Sequence, residues 1–128
     1  MFNGLVPPEF TETETEVLGI PATKTKTNAV LDTDPGKYNI TNSTIHKFSF
    51  KTPTLRNIEL TAPFMHNGVF NSLEEVMDFY NEGGGAGLHI APENQTLPTS
   101  KLNLSQKETA DIIAFMKALT DSTVKAYK

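Results

Sequence analysis

Two four-residue helix starts constrain this chain more than any other feature. Ser72-Leu73-Glu74-Glu75 and Ser105-Gln106-Lys107-Glu108 both have the form of a capping box. In such a box the serine hydroxyl accepts from the amide three residues on, and the glutamate reaches back to the serine's own amide. Apolar residues then recur at helical spacing: Leu73, Val76, Met77 and Tyr80 after the first box, Thr109, Ile112, Ile113, Met116 and Leu119 after the second. The pattern predicts helices near 73–82 and 105–119, the first stopped by Gly83-Gly84-Gly85. Helices this short are marginal alone, so the two stripes must bury against each other or against something between them.

The rest of the chain carries no comparable periodicity. Residues 1–45 are punctuated by Pro7, Pro8, Pro21 and Pro35 and contain Thr-Glu and Thr-Lys alternations at Thr11–Glu16 and Thr23–Thr27. The opposite charges of the two alternations would suit a cross-strand ribbon, but such exposed pairs are weak, and two solvated loop segments are the expectation. Asp34-Pro35-Gly36 is a turn signal. From Phe48 to Asn71 aromatics mix with Pro53, Pro63 and Gly68, so long regular structure is not expected, although Thr52-Pro53 suits the start of a short helix. A chain of 128 residues has room for one core. The expectation is a single domain over 1–128, extended over 1–45, with a core over 46–121 built on the two helices.

Composition excludes several classes of function. Eleven Lys plus Arg against fifteen Asp plus Glu give a net charge of −4, and Arg56 is the only arginine, so no nucleic-acid partner is expected. No apolar run approaches the ~18 residues of a membrane span, and MFNGLVPPEF lacks the basic and apolar regions of a signal peptide. With no cysteine, the chain cannot form disulfides, thiolate metal sites or thioether-linked haem.

Candidate chemistry is sparse when read from the residues alone. His46, His66 and His89 match no local metal signature, and His66 reads as a loop residue satisfied by backbone carbonyls. Tyr80 lies on the first apolar stripe, which carries its hydroxyl inward and leaves two readings open: a core phenol bonded to backbone, or an oxygen ligand to a metal. Gly83 to Gly87 has no following Lys-Ser/Thr and does not read as a phosphate loop. There is no G-x-S-x-G and no cysteine nucleophile to support acyl transfer.

Three blocks together carry a resemblance: FKTPTLRNIELTAPFMHNG at 50–68, SLEEVMDFYNEGG at 72–84 and LSQKETADIIAFMKALTD at 104–121. In this order and spacing they resemble the C-terminal haem domain of bacterial di-haem cytochrome c peroxidases and their MauG-type relatives, over about residues 6–121. The resemblance implies a mainly α, cytochrome c-like domain with long irregular loops, incomplete at its N-terminus. It implies that Arg56 faces haem propionates and that the backbone carbonyls of Thr61 and Pro63 bind a structural calcium together with an Asn from the other domain. It also implies that Tyr80 is the distal axial ligand of the haem, as in the MauG-like branch, where the ordinary peroxidases have methionine.

The chain departs from the family at its start. The family motif C-x-x-C-H-x-P-P-x-F-T, laid on Val6 to Thr11, would put its cysteines and proximal histidine on Met1 to Leu5, where none is present. The family's His-Asn pair is replaced by Glu16 and Val17. The intact relatives are periplasmic, use hydrogen peroxide at a five-coordinate N-terminal haem and draw electrons from a small redox protein through the C-terminal haem. This chain is therefore expected to be an electron-transfer haem-domain portion of such an enzyme that misses its N-terminal haem domain, holds no covalent haem, does not turn over peroxide alone and self-associates over uncovered apolar surface. The competing expectation is a haem-free structural or interaction domain that retains the cytochrome scaffold.

Overall fold

The computed structural model describes residues 15–125. In chain order the elements are strand β1 (Thr15–Glu16), helix α1 (Tyr38–Thr41), a 3-10 turn at Thr44–His46, strand β2 (Phe50–Lys51) and a second 3-10 turn at Ile58–Leu60. There follow α2 (Leu73–Asn81), a third 3-10 turn at Gly84–Leu88, α3 (Gln106–Ala118) and α4 (Ser122–Lys125). Helix accounts for 36% of the structure, so the architecture is a small helical core wrapped in irregular chain rather than a bundle.

The principal helices begin where the capping residues stand. Ser105 Oγ accepts from the Glu108 amide at 3.1 Å and Glu108 accepts from the Ser105 amide at 2.8 Å, a complete box. At α2 only half of the expected box forms. Ser72 Oγ accepts from the Glu75 amide at 3.2 Å, but the Glu75 carboxylate accepts from the Asn71 amide at 2.7 Å and pairs with Lys24 Nζ at 2.6 Å. An incoming lysine and an amide one residue earlier have captured the carboxylate.

The core consists of Ile20, Phe64, Phe70, Leu73, Met77, Phe79, Ile113 and Met116, each fully buried apolar side chain contributing about 1.5–3 kcal/mol. Two members of the pattern differ from the sequence reading. Phe79, off the expected stripe, is 5% exposed with its ring centroid 5.4 Å from that of Phe70, whereas Ile112, on the expected stripe, is 37% exposed. The cause is asymmetry of packing: α2 is covered by the 64–70 loop as well as by α3, which widens its buried arc, while the described α3 packing buries only Ile113 and Met116.

The wrapping chain is fastened by long-range ties. β1 pairs antiparallel with β2, placing Thr15 opposite Lys51 and Glu16 opposite Phe50, so the ribbon partner of Glu16 is not the 23–27 segment. Thr23 to Thr27 lie exposed, as two solvated segments would, and Thr11 to Glu14 lie outside the described residues. A strap over 20–32 closes through Ala22 N to Val30 O at 2.8 Å and Asp32 N to Ile20 O at 2.9 Å. The expected turn is present, with the Gly36 amide donating to Asp34 Oδ1 at 2.9 Å. No helix opens at Thr52-Pro53; Thr52 is buried, and the nearby helical turn comes later, at Ile58–Leu60. At Gly85 two backbones touch: a Cβ there would lie 2.8 Å from Gly19 Cα, while the Gly85 amide donates to the Leu18 carbonyl at 2.8 Å. Only glycine allows that approach.

Candidate functional site

Tyr80 closes the last turn of α2. It is half-buried and packs against the core cluster. Its ring meets Phe79 edge-on, with centroids 6.1 Å apart and planes at 78°. Burial pushes its phenol up to about 12, and the negative charge of Glu16 adds to the shift. Glu16 in turn accepts from the Thr96 hydroxyl, and the same hydroxyl takes the Val17 amide at 2.8 Å. The side chain thus carries a protonated phenol packed on the core, with a carboxylate in its field.

The other residues singled out in the sequence lie elsewhere. Arg56 is exposed, its guanidinium 3.2 Å from the Asp121 carboxylate just beyond α3. Thr61 and Pro63 are exposed, Pro63 joined to Ala62 by a cis bond, and the Thr61 hydroxyl donates to the Ile58 carbonyl at 3.0 Å. No described interaction joins Tyr80 to Arg56, Thr61 or Pro63. The three histidines stay apart, and among the described residues no cluster of three His, Cys, Asp or Glu side chains stands close enough to hold a metal ion.

His66 differs from the sequence reading. Its Nε2 lies 2.7 Å from Asp32 Oδ2, and its ring stacks on Phe50 with centroids 3.7 Å apart and planes at 8°. Both polar side chains are mostly covered, 14% and 20% exposed. The partner is a carboxylate on the strap rather than a backbone carbonyl, and the adjacent Asn67 donates to the Pro21 carbonyl at 3.0 Å. His66 and Asn67 therefore bind the 61–70 loop to the strap. Nothing local in the sequence announces a pairing across 34 positions.

Among the described residues no helix is long and apolar enough to cross a membrane. No family model matches the chain. Cytochrome-c peroxidase IdrP1 of Pseudomonas sp. (strain SCT) is 45% identical over 89 residues, 70% of this chain and 22% of that protein. Cytochrome-c peroxidase IdrP2 of Denitromonas iodatirespirans is 41% identical over 69% of this chain and 22% of its own length. The methylamine utilization protein MauG of Methylorubrum extorquens is 33% identical over 69% of this chain and 24% of its own. A crystal structure of a MauG-like protein associated with microbial copper homeostasis superposes with a TM-score of 0.66 and 32% identity, covering 84% of this chain and 34% of that one. The match thus spans less than a quarter of the curated relatives, and within that span the chain belongs to the cytochrome c peroxidase and MauG family.

Proposed function

We propose that this chain is the C-terminal, electron-transfer haem-domain portion of a periplasmic di-haem cytochrome c peroxidase of the MauG-like branch. In the intact protein it would serve hydrogen peroxide reduction or peroxide-driven oxidation, with a partner haem domain and a small redox donor. The observation that carries this reading is Tyr80, an oxygen-bearing side chain packed on the core at the end of α2, in a segment related to MauG. The reading gives Arg56 to a haem propionate, for which a planar guanidinium is suited. It gives the carbonyls of Thr61 and Pro63 to calcium, an ion that takes hard oxygen ligands.

A haem fits one side of this chain and not the other. Tyr80 and the apolar residues beside it suit the ligand side. Attachment does not fit, because the 128 residues contain no cysteine and Leu5 stands where the family has its proximal histidine. Bound haem would supply one-electron redox chemistry, and the part of this chain would be to offer the Tyr80 oxygen. The chain alone is inactive toward peroxide. Its exposed Val30, Ile40 and Ile45, at 65%, 84% and 69%, favour self-association. The second reading, a haem-free interaction domain on the same scaffold, is favoured by the missing cysteines.

The test is haemin titration of the purified chain and of Tyr80→Phe, which keeps ring volume and removes the oxygen. Wild type is expected to give an oxygen-ligated ferric spectrum that the variant loses, with all haem extractable into acid–acetone. Identical spectra for the two proteins would make Tyr80 a core residue and leave the haem-free reading standing.

A further inference from the structure

We infer that the groove between α2 and α3 is a docking site for a basic amphipathic helix of a partner protein. The groove holds about 500 Å³, within the ~300–1,000 Å³ usual for ligand sites. Its lining sets apolar Leu104, Ala110, Ile113 and Ala114 among polar Asn81, Gln106 and Thr109, with Glu74 and Asp78 on the α2 side. These two acids stand one turn apart on α2, on the same side of the helix.

The other carboxylates on or beside the two helices already have partners, Glu108 the Ser105 amide and the rest lysines. Glu75 is paired with Lys24, Glu82 with Lys101 and Asp111 with Lys107. Among the described residues Glu74 and Asp78 make no ion pair, and Lys117 stands at the groove lined by α3 without one. Apolar side chains beside two unanswered carboxylates are complementary to a helix with Lys or Arg one turn apart next to small apolar side chains. This is helix-in-groove recognition with electrostatic steering.

The groove is also formed before any partner arrives. Asn81 holds the backbone of Leu104 from both sides, accepting from its amide at 2.9 Å and donating to its carbonyl at 3.5 Å, and the complete box at Ser105 fixes the start of α3. Rigid walls lower the ordering cost of binding.

The probe is a labelled synthetic amphipathic peptide with two lysines one turn apart beside a Leu/Ala face, titrated by anisotropy against the full chain. A control peptide carries glutamates in place of the lysines. Binding should favour the lysine peptide and weaken as salt rises. It should fall about tenfold in Glu74→Gln/Asp78→Asn, a loss of ~1.4 kcal/mol. It should also fall in Ala114→Phe, which fills the groove and leaves the charges; both variants change exposed positions, and circular dichroism confirms that each is folded. Equal binding of the two peptides, indifference to both variants or no binding at millimolar peptide overturns the inference. So does sedimentation showing a dimer of this chain that Ala114→Phe dissociates, since the occupant would then be a second copy.

Discussion

Within α2 and α3 the chain is organised by neighbours three and four residues away, whereas from Thr15 to Phe70, and again between the two helices, it is held by single side chains reaching far along the sequence. His66 finds Asp32 across 34 positions, Asn67 finds the Pro21 carbonyl across 46, and the Val17 amide finds the Thr96 hydroxyl across 79. Asn94 donates to the carbonyls of Lys47 and Ile45 at 2.8 and 3.1 Å, clasping the turn at Thr44–His46 from the segment between α2 and α3. The two helices bring Leu73, Met77, Phe79, Ile113 and Met116 to the core, and the wrapping chain adds Val17, Ile20, Phe64 and Phe70. The wrapping chain has little regular structure, so each tie fixes a whole segment, and local opening should begin there.

Truncation at the centre of the helical half is the harshest way to test this contrast. Phe79 is 5% exposed and touches Phe70 of the wrapping loop, so it joins the two halves. Phe79→Ala should destabilise the chain by about 3–5 kcal/mol through lost transfer energy plus a cavity, enough to unfold a marginal domain of this size. Urea denaturation followed by circular dichroism measures it. A loss below about 1 kcal/mol would mean that the core closes without Phe79 and that the halves are not joined there.

The same residue shows why only part of the structure was legible from sequence. Helical spacing located both helices, because capping and periodicity are short-range properties written in consecutive residues. It did not show Phe79 as core, because the width of a buried arc depends on what covers the helix, and the covering 64–70 loop has no periodicity of its own. Glu75 is a parallel case: its box failed because Lys24, far away in sequence, competes for the carboxylate. Tyr80 could be chosen from its stripe and its position in a family-like block, but the negative charge of Glu16 beside it depends on where β1 is tied. The His66–Asp32 pair had no local signal, since neither residue lies in a patterned segment.

Breaking that pair should have an intermediate effect and a distinct pH signature. His66→Ala removes a covered hydrogen bond and a stacked ring, at a cost of about 1–3 kcal/mol, and should raise amide exchange in both the strap over 20–32 and the 61–70 loop while leaving α3 protected. The hydrogen bond from His66 is the chief cause holding the Asp32 carboxyl below its ordinary 3.8. A carboxyl lowered in the folded state stabilises above its unfolded value, and that contribution is lost as pH falls from about 3.8 through the lowered folded value. Asp32→Asn should therefore flatten the stability curve in that acid window. An acid limb identical to wild type would show that the pair does not tie the strap.

The smallest effect tests the helical half on its own terms. Ser105 accepts from the Glu108 amide while Glu108 accepts from the Ser105 amide, at 3.1 and 2.8 Å, so two amides left over at the start of α3 are satisfied by local chemistry alone. Ser105→Ala removes one acceptor at an exposed helix end, and water can replace it, so the loss should be about 1 kcal/mol. The fraying should stay within the first turn of α3, because Ile113 and Met116 remain buried further along. Ser105→Asp should restore most of the loss, since a carboxylate also caps and suits the positive end of the helix dipole. Urea midpoints of the three proteins measure both steps. If Ser105→Ala instead raised exchange in the strap over 20–32, the ends of α3 would be coupled to the wrapping half, and the division between locally and remotely stabilised regions would be wrong.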